Sequence, residues 1–427
     1  MAETFCKKQT TVKIRAGIPS HYSGLEAMRA VAALMVVVGH ILYYKKVLDP
    51  TFTASLPGGW IPPAHVAVLL FFTLSGYVIG LTNSVPIRSF TAIQDYIKKR
   101  LVRLYPVYLV ALVAILLVGH IGARQMLGHL VFGQGLLTPN TWENNPLWSL
   151  HFEVLYYAAF LPLSFARVSA VKVCGVAAVL GLLCALSYPQ VPAILSAYLL
   201  GFCFWSAGWA LAKRPANVKL PAARHLVSGF LLMLTLGTIE SSSLFSAHFS
   251  SSFLIPDTVE WVRRAITASD LKMLPFCLWL VALGAGRQPQ NRWIPVFLYS
   301  LPMAAIVLQM LSGVDSRLFL LPFSLWLLAG LLYLAPITEQ VAAKVLQALA
   351  WVGSISYGVY ALHFPLMIVF QHIPILSGSA ALFSLRFGLF FILLFAGCFV
   401  LERLIQPNIK HYFLRDREHK PSAGRVH

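Results

Sequence analysis

Charged residues are scarce in this 427-residue sequence, in which Asp, Glu, Lys and Arg together make up only 11%. Soluble domains contain about a quarter charged residues, so this chain has too few of them to cover a water-facing surface. Hydrophobic residues reach 58%, and the mean hydropathy is +0.73. This composition excludes a soluble enzyme, a disordered protein and a secreted disulfide scaffold, and it predicts an all-α polytopic membrane protein.

Cysteine is also scarce, with six residues and no C-x-x-C pair. Five of them fall in apolar runs, and Cys6 lies in a polar tail. The spacing indicates neither a disulfide framework nor a metal site, so we expect no bound metal. The first 23 residues are polar and basic, without the pattern of a cleaved signal peptide.

Long apolar runs are abundant. A helix that crosses the hydrocarbon core needs about 20 mostly apolar residues. We predict a transmembrane helix bundle of ten to twelve spans, with a possible re-entrant piece at 125–137. The candidate spans cover residues 26–43, 64–82, 104–120, 147–164, 172–187, 193–212, 225–240, 272–286, 293–312, 318–335, 349–371 and 381–402.

The net charge of +18 comes from 33 basic and 15 acidic residues. When the N-terminus is placed in the cytoplasm and the spans alternate, most Lys and Arg fall in cytoplasmic segments, as the positive-inside rule expects. Both termini are therefore predicted to be cytoplasmic, and the charge does not require a nucleic-acid partner. We divide the chain into a basic tail at 1–23, a transmembrane domain at 24–402 and a basic tail at 403–427 that lies against anionic lipid.

The first span contains ionisable residues, which are costly within a bilayer and therefore point to function. Arg29 and His40 are eleven residues apart, which returns to nearly the same helical face, and Glu26 precedes Arg29 by one turn. Glu153 in the fourth span is predicted at a depth similar to that of His40. The two could form a base with an orienting partner, or Glu153 could pair with Arg29 and only lock the helices together.

Two further segments carry polar residues. Arg100 and Arg103 are neighbours on one helical face at the cytoplasmic mouth of the third span, where they could grip phosphates or anchor the helix to lipid. Ser356, Tyr360 and His363 share a face of a late span, together with Tyr357, and a hydrogen-bond network between helices is the favoured interpretation. Near the second span, Ser75 and Gly76 predict a close contact between helices.

Five of these segments, in this order, resemble the motifs of the integral-membrane acyltransferase type 3 family, which O-acylates bacterial surface sugars and some glycosides. The resemblance spans roughly residues 22–405, and Glu402 before Pro407 loosely matches the closing motif. The matching segments are Arg29 with His40, then 71–76, 100–106, 147–153 and 356–365.

The resemblance implies a multi-pass protein of the bacterial inner membrane that uses cytoplasmic acyl-CoA, most often acetyl-CoA, as donor substrate and has no bound cofactor. The acceptor would be a hydroxyl of a lipopolysaccharide, exopolysaccharide, lipid-linked sugar or glycoside. His40 would be the base or a transient acyl carrier, with Glu153 orienting it and Arg29 stabilising charge. Arg100 and Arg103 would hold the donor phosphates. Supporting positions would be Glu26, Ser149, Ser356, Tyr357 and His363.

An alternative from another class is a multispanning transporter or exporter of a small metabolite or glycoside, without acyl chemistry. Many spans and internal charges suit a transporter. The two halves of the sequence, however, show no corresponding motifs of the kind that repeats in transporters would produce.

Overall fold

The computed structural model describes residues 20–56, 59–119, 121–188, 190–214, 221–236, 266–287 and 291–414. Over these ranges the chain is helical and forms no β-strand, which confirms the all-α prediction. The α-helices of the described ranges are α1 (Ser20–Tyr43), α2 (Ala64–Thr82), α3 (Phe90–Val118), α4 (Ala123–Leu130), α5 (Trp148–Phe165), α6 (Ala170–Leu186), α7 (Ala193–Ala212), α8 (Ala223–Thr235), α9 (Leu274–Gly284), α10 (Trp293–Leu311), α11 (Leu320–Leu334), α12 (Glu339–Gly353), α13 (Ser356–Gln371), α14 (Ala380–Phe399) and α15 (Gln406–Leu414).

The described helices include seven that are long and apolar enough to cross a membrane, or eight if one bent pair counts as a single span. Shorter apolar helices, α6 and α8 among them, account for further predicted spans. The prediction of ten to twelve spans is therefore not confirmed. The serine-rich interval near 241–271 and both predicted tails lie mostly outside the described residues.

The predicted span at 349–371 is wrong as a single helix. The helix ends at Gly353, and the next helix begins at Ser356 at an angle of 65° to the first. Gly353 packs so closely on α1 that a Cβ atom there would lie 1.9 Å from the carbonyl oxygen of Glu26. The break therefore coincides with a point where two backbones touch, which hydropathy alone does not reveal.

α1 lies at the centre of the bundle and packs against α2, α9, α12 and α13. Its buried face is made of small and medium apolar residues, including Ala27, Met28, Ala33 and Val37. Small residues allow close approach, and dispersion between closely packed helices is what holds a bundle together in lipid. The helix with the predicted ionisable stripe therefore contacts four other helices of the described ranges.

α2 and α7 pack closely against each other. A Cβ atom at Gly76 would lie 1.8 Å from the carbonyl oxygen of Trp205, and one at Gly208 would lie 1.9 Å from that of Thr73. Two glycines, one from each helix, therefore let the backbones touch. The close contact predicted at Gly76 is confirmed.

Arg386 in α14 is 2% exposed and is bonded to backbone carbonyl groups rather than to a carboxylate. Its guanidinium donates to the carbonyl oxygens of Leu48 at 2.9 Å and Ile373 at 2.8 Å, and also to those of Phe370 and Ile375. Carbonyl groups at a helix C-terminus carry partial negative charge, so they stabilise the cation. Arg386 thereby ties the loop after α1 to the end of α13.

Candidate active site

The ionisable stripe of α1 is present as predicted. Arg29 forms an ion pair with Glu26, one turn earlier, and the two side chains are 16% and 26% exposed. His40 lies roughly 16 Å further along the helix axis, because each residue adds about 1.5 Å. The charge pair and the imidazole therefore occupy different depths of the bundle.

The partner of His40 is a second histidine from α13. His40 Nδ1 and His363 Nε2 are 3.0 Å apart. The ring centroids are 5.2 Å apart and the ring planes are inclined by 20°, so the two imidazoles meet edge to edge. His363 is fully buried, whereas His40 is half-buried. α1 and α13 thus meet through an imidazole pair.

The backbone of α13 determines how protons are placed on this pair. His363 Nδ1 lies 2.8 Å from the carbonyl oxygen of Tyr360, and a carbonyl can only accept, so Nδ1 carries the proton. In neutral His363 the Nε2 atom must then accept, and His40 Nδ1–H donates to it. This arrangement leaves the lone pair of His40 Nε2 unprotonated and directed away from His363. A neutral imidazole held in that tautomer can accept a proton from a hydroxyl.

Glu153 does not contact His40. Its carboxylate accepts hydrogen bonds from Ser75, at 2.7 Å, and from the hydroxyl of Tyr157, four residues later on α5. The prediction that Glu153 orients His40 therefore corresponds to no contact in the structure, and His363 occupies that position. Glu153 does not pair with Arg29 either, whose bonded carboxylate is that of Glu26.

Tyr360 connects α13, the helix that carries His363, to the start of α5 through hydrogen bonds. Its hydroxyl donates to the carbonyl oxygen of Pro146 at 2.9 Å and lies 2.6 Å from Ser149 Oγ. The hydroxyl of Tyr357, on the next face, donates to the carbonyl oxygen of Leu104 in α3 at 3.0 Å. The favoured interpretation of this segment as a network between helices is confirmed for these tyrosines. Ser356 is buried at the first turn of α13.

Arg100 and Arg103 lie in the first half of α3, which begins well before the predicted span at 104. The Arg100 guanidinium lies over the rings of Tyr96 and Tyr157, 5.5 Å and 5.8 Å from their centroids. Its Nε atom is buried and has no hydrogen-bond partner among the described residues. A buried donor without an acceptor is costly, so this group is suited to an anionic ligand.

Arg103 brings a second positive charge to the same region. Arg103 lies close enough to Arg29 and to Glu402 for their charges to interact. It is therefore near the Glu26–Arg29 pair. The structure therefore gathers Arg29, Arg100 and Arg103 towards one end of the bundle. Tyr157 joins this group to Glu153, because its ring faces Arg100 and its hydroxyl binds the carboxylate.

Sequence reasoning did not assign Tyr157 and gave Glu402 no role. Tyr157 follows Glu153 at the i+4 spacing that brings side chains together on a helix, so its contact could have been found. Glu402 lies in a π-helical turn, Val400–Ile405, and its carboxylate accepts from the backbone N–H of Gly358 at 2.6 Å. A π-turn is rarely visible in a sequence.

In the described ranges, no group of three or more His, Cys, Asp or Glu side chains lies close enough to hold a metal ion.

The chain was compared with known protein families, curated proteins and solved structures. The profile of an acyltransferase domain family matches residues 22–403, which is most of the chain. No curated protein and no solved structure matches the chain.

Proposed function

The chain belongs to the acyltransferase type 3 family, and from that premise we propose that it is a membrane O-acyltransferase that moves an acetyl group from acyl-CoA to a hydroxyl of a carbohydrate. The observation that carries the proposal is the His40–His363 pair, in which the Tyr360 carbonyl fixes the protons and leaves His40 Nε2 as a base. Surface polysaccharides, lipid-linked sugars and glycosides are the acceptor classes we propose, and the bacterial inner membrane is the proposed location.

In the proposed reaction, His40 Nε2 takes the proton of the acceptor hydroxyl. The hydroxyl oxygen attacks the thioester carbonyl and forms the new ester bond. The carbon–sulfur bond breaks, and the imidazolium returns its proton to the thiolate of CoA. No further reactant is needed for this balance. His363 would stabilise the imidazolium by accepting from Nδ1–H throughout.

The proposed donor grip consists of Arg100 and Arg103, supported by Arg29. The unsatisfied Nε of Arg100 and the clustered positive charge favour a polyanion such as the phosphates of acyl-CoA. We propose that Glu153 acts through Tyr157, by holding the ring on which Arg100 lies, rather than through His40. The transporter alternative has no support from the family match.

The test is acetyl transfer by the purified protein, measured as release of free CoA in the presence of a sugar acceptor. We expect His40→Ala to lower the rate by at least about 10²-fold, the usual contribution of a general base. His372→Ala is the matched control. His372 directly follows α13, and its ring is hydrogen-bonded to the carbonyl oxygen of Ile368. Near-normal transfer by His40→Ala would overturn the proposal.

A further inference from the structure

A cluster of aromatic rings lies beside His40 and has no role in the proposed proton transfer. We call it the aromatic corner, and it consists of Tyr43, Tyr44, Trp142 and Phe364. The rings of Tyr44 and Phe364 have centroids 5.5 Å and 5.8 Å from that of the His40 imidazole. Trp142 stands edge-on to both, at 5.1 Å and 5.7 Å, and Tyr43 stands edge-on to Tyr44 at 5.0 Å.

The aromatic corner is held firmly by the same helix that supplies His363. Trp142 begins the 3₁₀ turn Trp142–Leu147. Within that turn, Asn144 Nδ2 donates to the carbonyl oxygen of Ala361 in α13 at 2.8 Å. Asn145 Nδ2 donates to the hydroxyl of Tyr44 at 3.0 Å. The rings and the imidazole pair are thus fixed to one another, as a preorganised binding site requires.

The rings of the aromatic corner differ in exposure. Phe364 is fully buried, whereas Trp142 is 52% exposed and Tyr43 is 53% exposed. The buried ring packs against the catalytic pair, and the exposed rings leave uncovered surface a short distance from His40. Polar groups border them, because Asn145 and Glu143 are half-buried neighbours of Trp142 on the same turn.

Exposed Trp and Tyr also occur in the aromatic belts where membrane proteins meet the headgroup region. Trp293, which is 62% exposed and lies over Arg292, is an example of such a residue in this chain. Trp142 differs from it because its ring packs on two rings that in turn touch the proposed base. Because Trp142 is linked in this way to His40, its exposed ring is better suited to a substrate than to lipid alone.

We propose that the aromatic corner is the acceptor subsite, in which a pyranose ring lies on the exposed face of Trp142 beside Tyr43. This assignment rests on the proposed function. A pyranose presents C–H groups on its faces and hydroxyl groups at its edge. The faces suit the electron-rich surface of an indole, and the edge suits amide and carboxylate groups. Stacking on Trp142 brings a ring hydroxyl towards His40.

The experiment uses the full-length protein in detergent, acetyl-CoA and a panel of methyl pyranosides, with sorbitol as an acyclic polyol for comparison. For Trp142→Ala, we expect the KM for the best pyranoside to rise by about tenfold or more, and Trp142→Phe to show a smaller rise. The KM for acetyl-CoA should change by less than about twofold, because the donor grip lies elsewhere. Sorbitol should be a poor acceptor for the wild-type protein.

Trp293→Ala is the matched control and should leave the acceptor KM unchanged. An acceptor KM that is unaltered in both Trp142→Ala and Tyr43→Ala, with transfer still dependent on His40, would overturn the aromatic corner and leave the proposed function standing. Wild-type protein that transfers acetyl to none of the pyranosides would overturn both. If Trp142→Ala does not fold, as judged by size-exclusion chromatography, Trp142→Phe and Tyr43→Ala decide the matter by the same measurement.

Discussion

At the residue scale, His363 contacts His40, and we propose that it acts through His40 rather than on a substrate. His363 is fully buried. Its Nδ1–H donates a hydrogen bond to the Tyr360 carbonyl oxygen, and its Nε2 accepts a hydrogen bond from His40 Nδ1–H. Without this acceptor, nothing holds His40 in the tautomer whose Nε2 is a base. A positioning residue of this kind affects turnover more than binding.

We therefore expect His363→Ala to lower kcat for acetyl transfer on the order of 10²-fold, while the KM for acetyl-CoA stays near its wild-type value. His363→Gln should recover part of the rate, because the side-chain oxygen of Gln can accept from His40 near the position of Nε2. His363→Asn is shorter and should not. Steady-state kinetics of the three variants checks this, and equal loss in Gln and Asn variants would contradict a positioning role.

The sequence identified the helices that carry these residues but not the direction in which each side chain faces. Glu153 and His40 were expected at similar depth, yet Glu153 bonds to Ser75 and Tyr157. Facing directions depend on how two helices are rotated against each other, which the packing of many apolar residues decides. The pair of Glu26 and Arg29 was predictable because both residues lie on one helix.

At the scale of helices, apolar runs with clear ends were predicted well. The bounds of α2 and α7 agree with the predicted 64–82 and 193–212, because Pro63 and Pro192 precede these helices and polar residues follow them. The bend between α12 and α13 was not predicted, because the apolar run continues across it. Close packing in this chain depends on glycine, whose contacts a hydropathy pattern does not show.

The contact between α2 and α7 should be sensitive to a single methyl group. Gly76→Ala places a Cβ atom against the carbonyl oxygen of Trp205, so the helices must separate, and we expect a loss of about 1–3 kcal/mol of stability. Because Ser75 is adjacent, activity should fall as well. Gly388→Ala in α14 is the control, since no atom lies within 4 Å of a Cβ there. Thermal unfolding in detergent measures both variants, and equal midpoints would contradict the prediction.

At the scale of the whole molecule, the basic residues that produce the net charge of +18 divide into several groups. Arg29, which pairs with Glu26, lies with Arg100 and Arg103 towards one end of the bundle, and we propose that this group binds an anionic donor. Arg386 is occupied by backbone carbonyl groups. Some other cations are bonded within the protein, as Arg224 is to Glu339 and Arg287 is to the carbonyl oxygens of Leu211 and Arg214. The positive-inside rule expects the basic residues between the helices to favour the cytoplasmic side.

Reporter fusions can test that orientation. The seven spanning helices and the bent pair of the described ranges would make eight crossings, an even number that leaves both termini on one side. We expect green fluorescent protein fused after His427 to fluoresce and alkaline phosphatase at that position to be inactive. Phosphatase inserted at Gly378, between α13 and α14, should be active. The reverse pattern would contradict cytoplasmic termini.

The backbone carbonyl groups that bind Arg386 bear on how α14 is inserted into the membrane. An arginine within an isolated helix opposes insertion into lipid, by about 2.5–3.5 kcal/mol at the helix centre, and Arg386 lies nearer the start of α14. The carbonyl groups that offset this cost belong to Leu48, Phe370, Ile373 and Ile375, all of which are synthesised before Arg386. When α14 leaves the ribosome, the residues whose carbonyl groups accept from Arg386 have already been synthesised. The translocon would therefore release α14 together with α13, as a hairpin, rather than as a helix that partitions by itself.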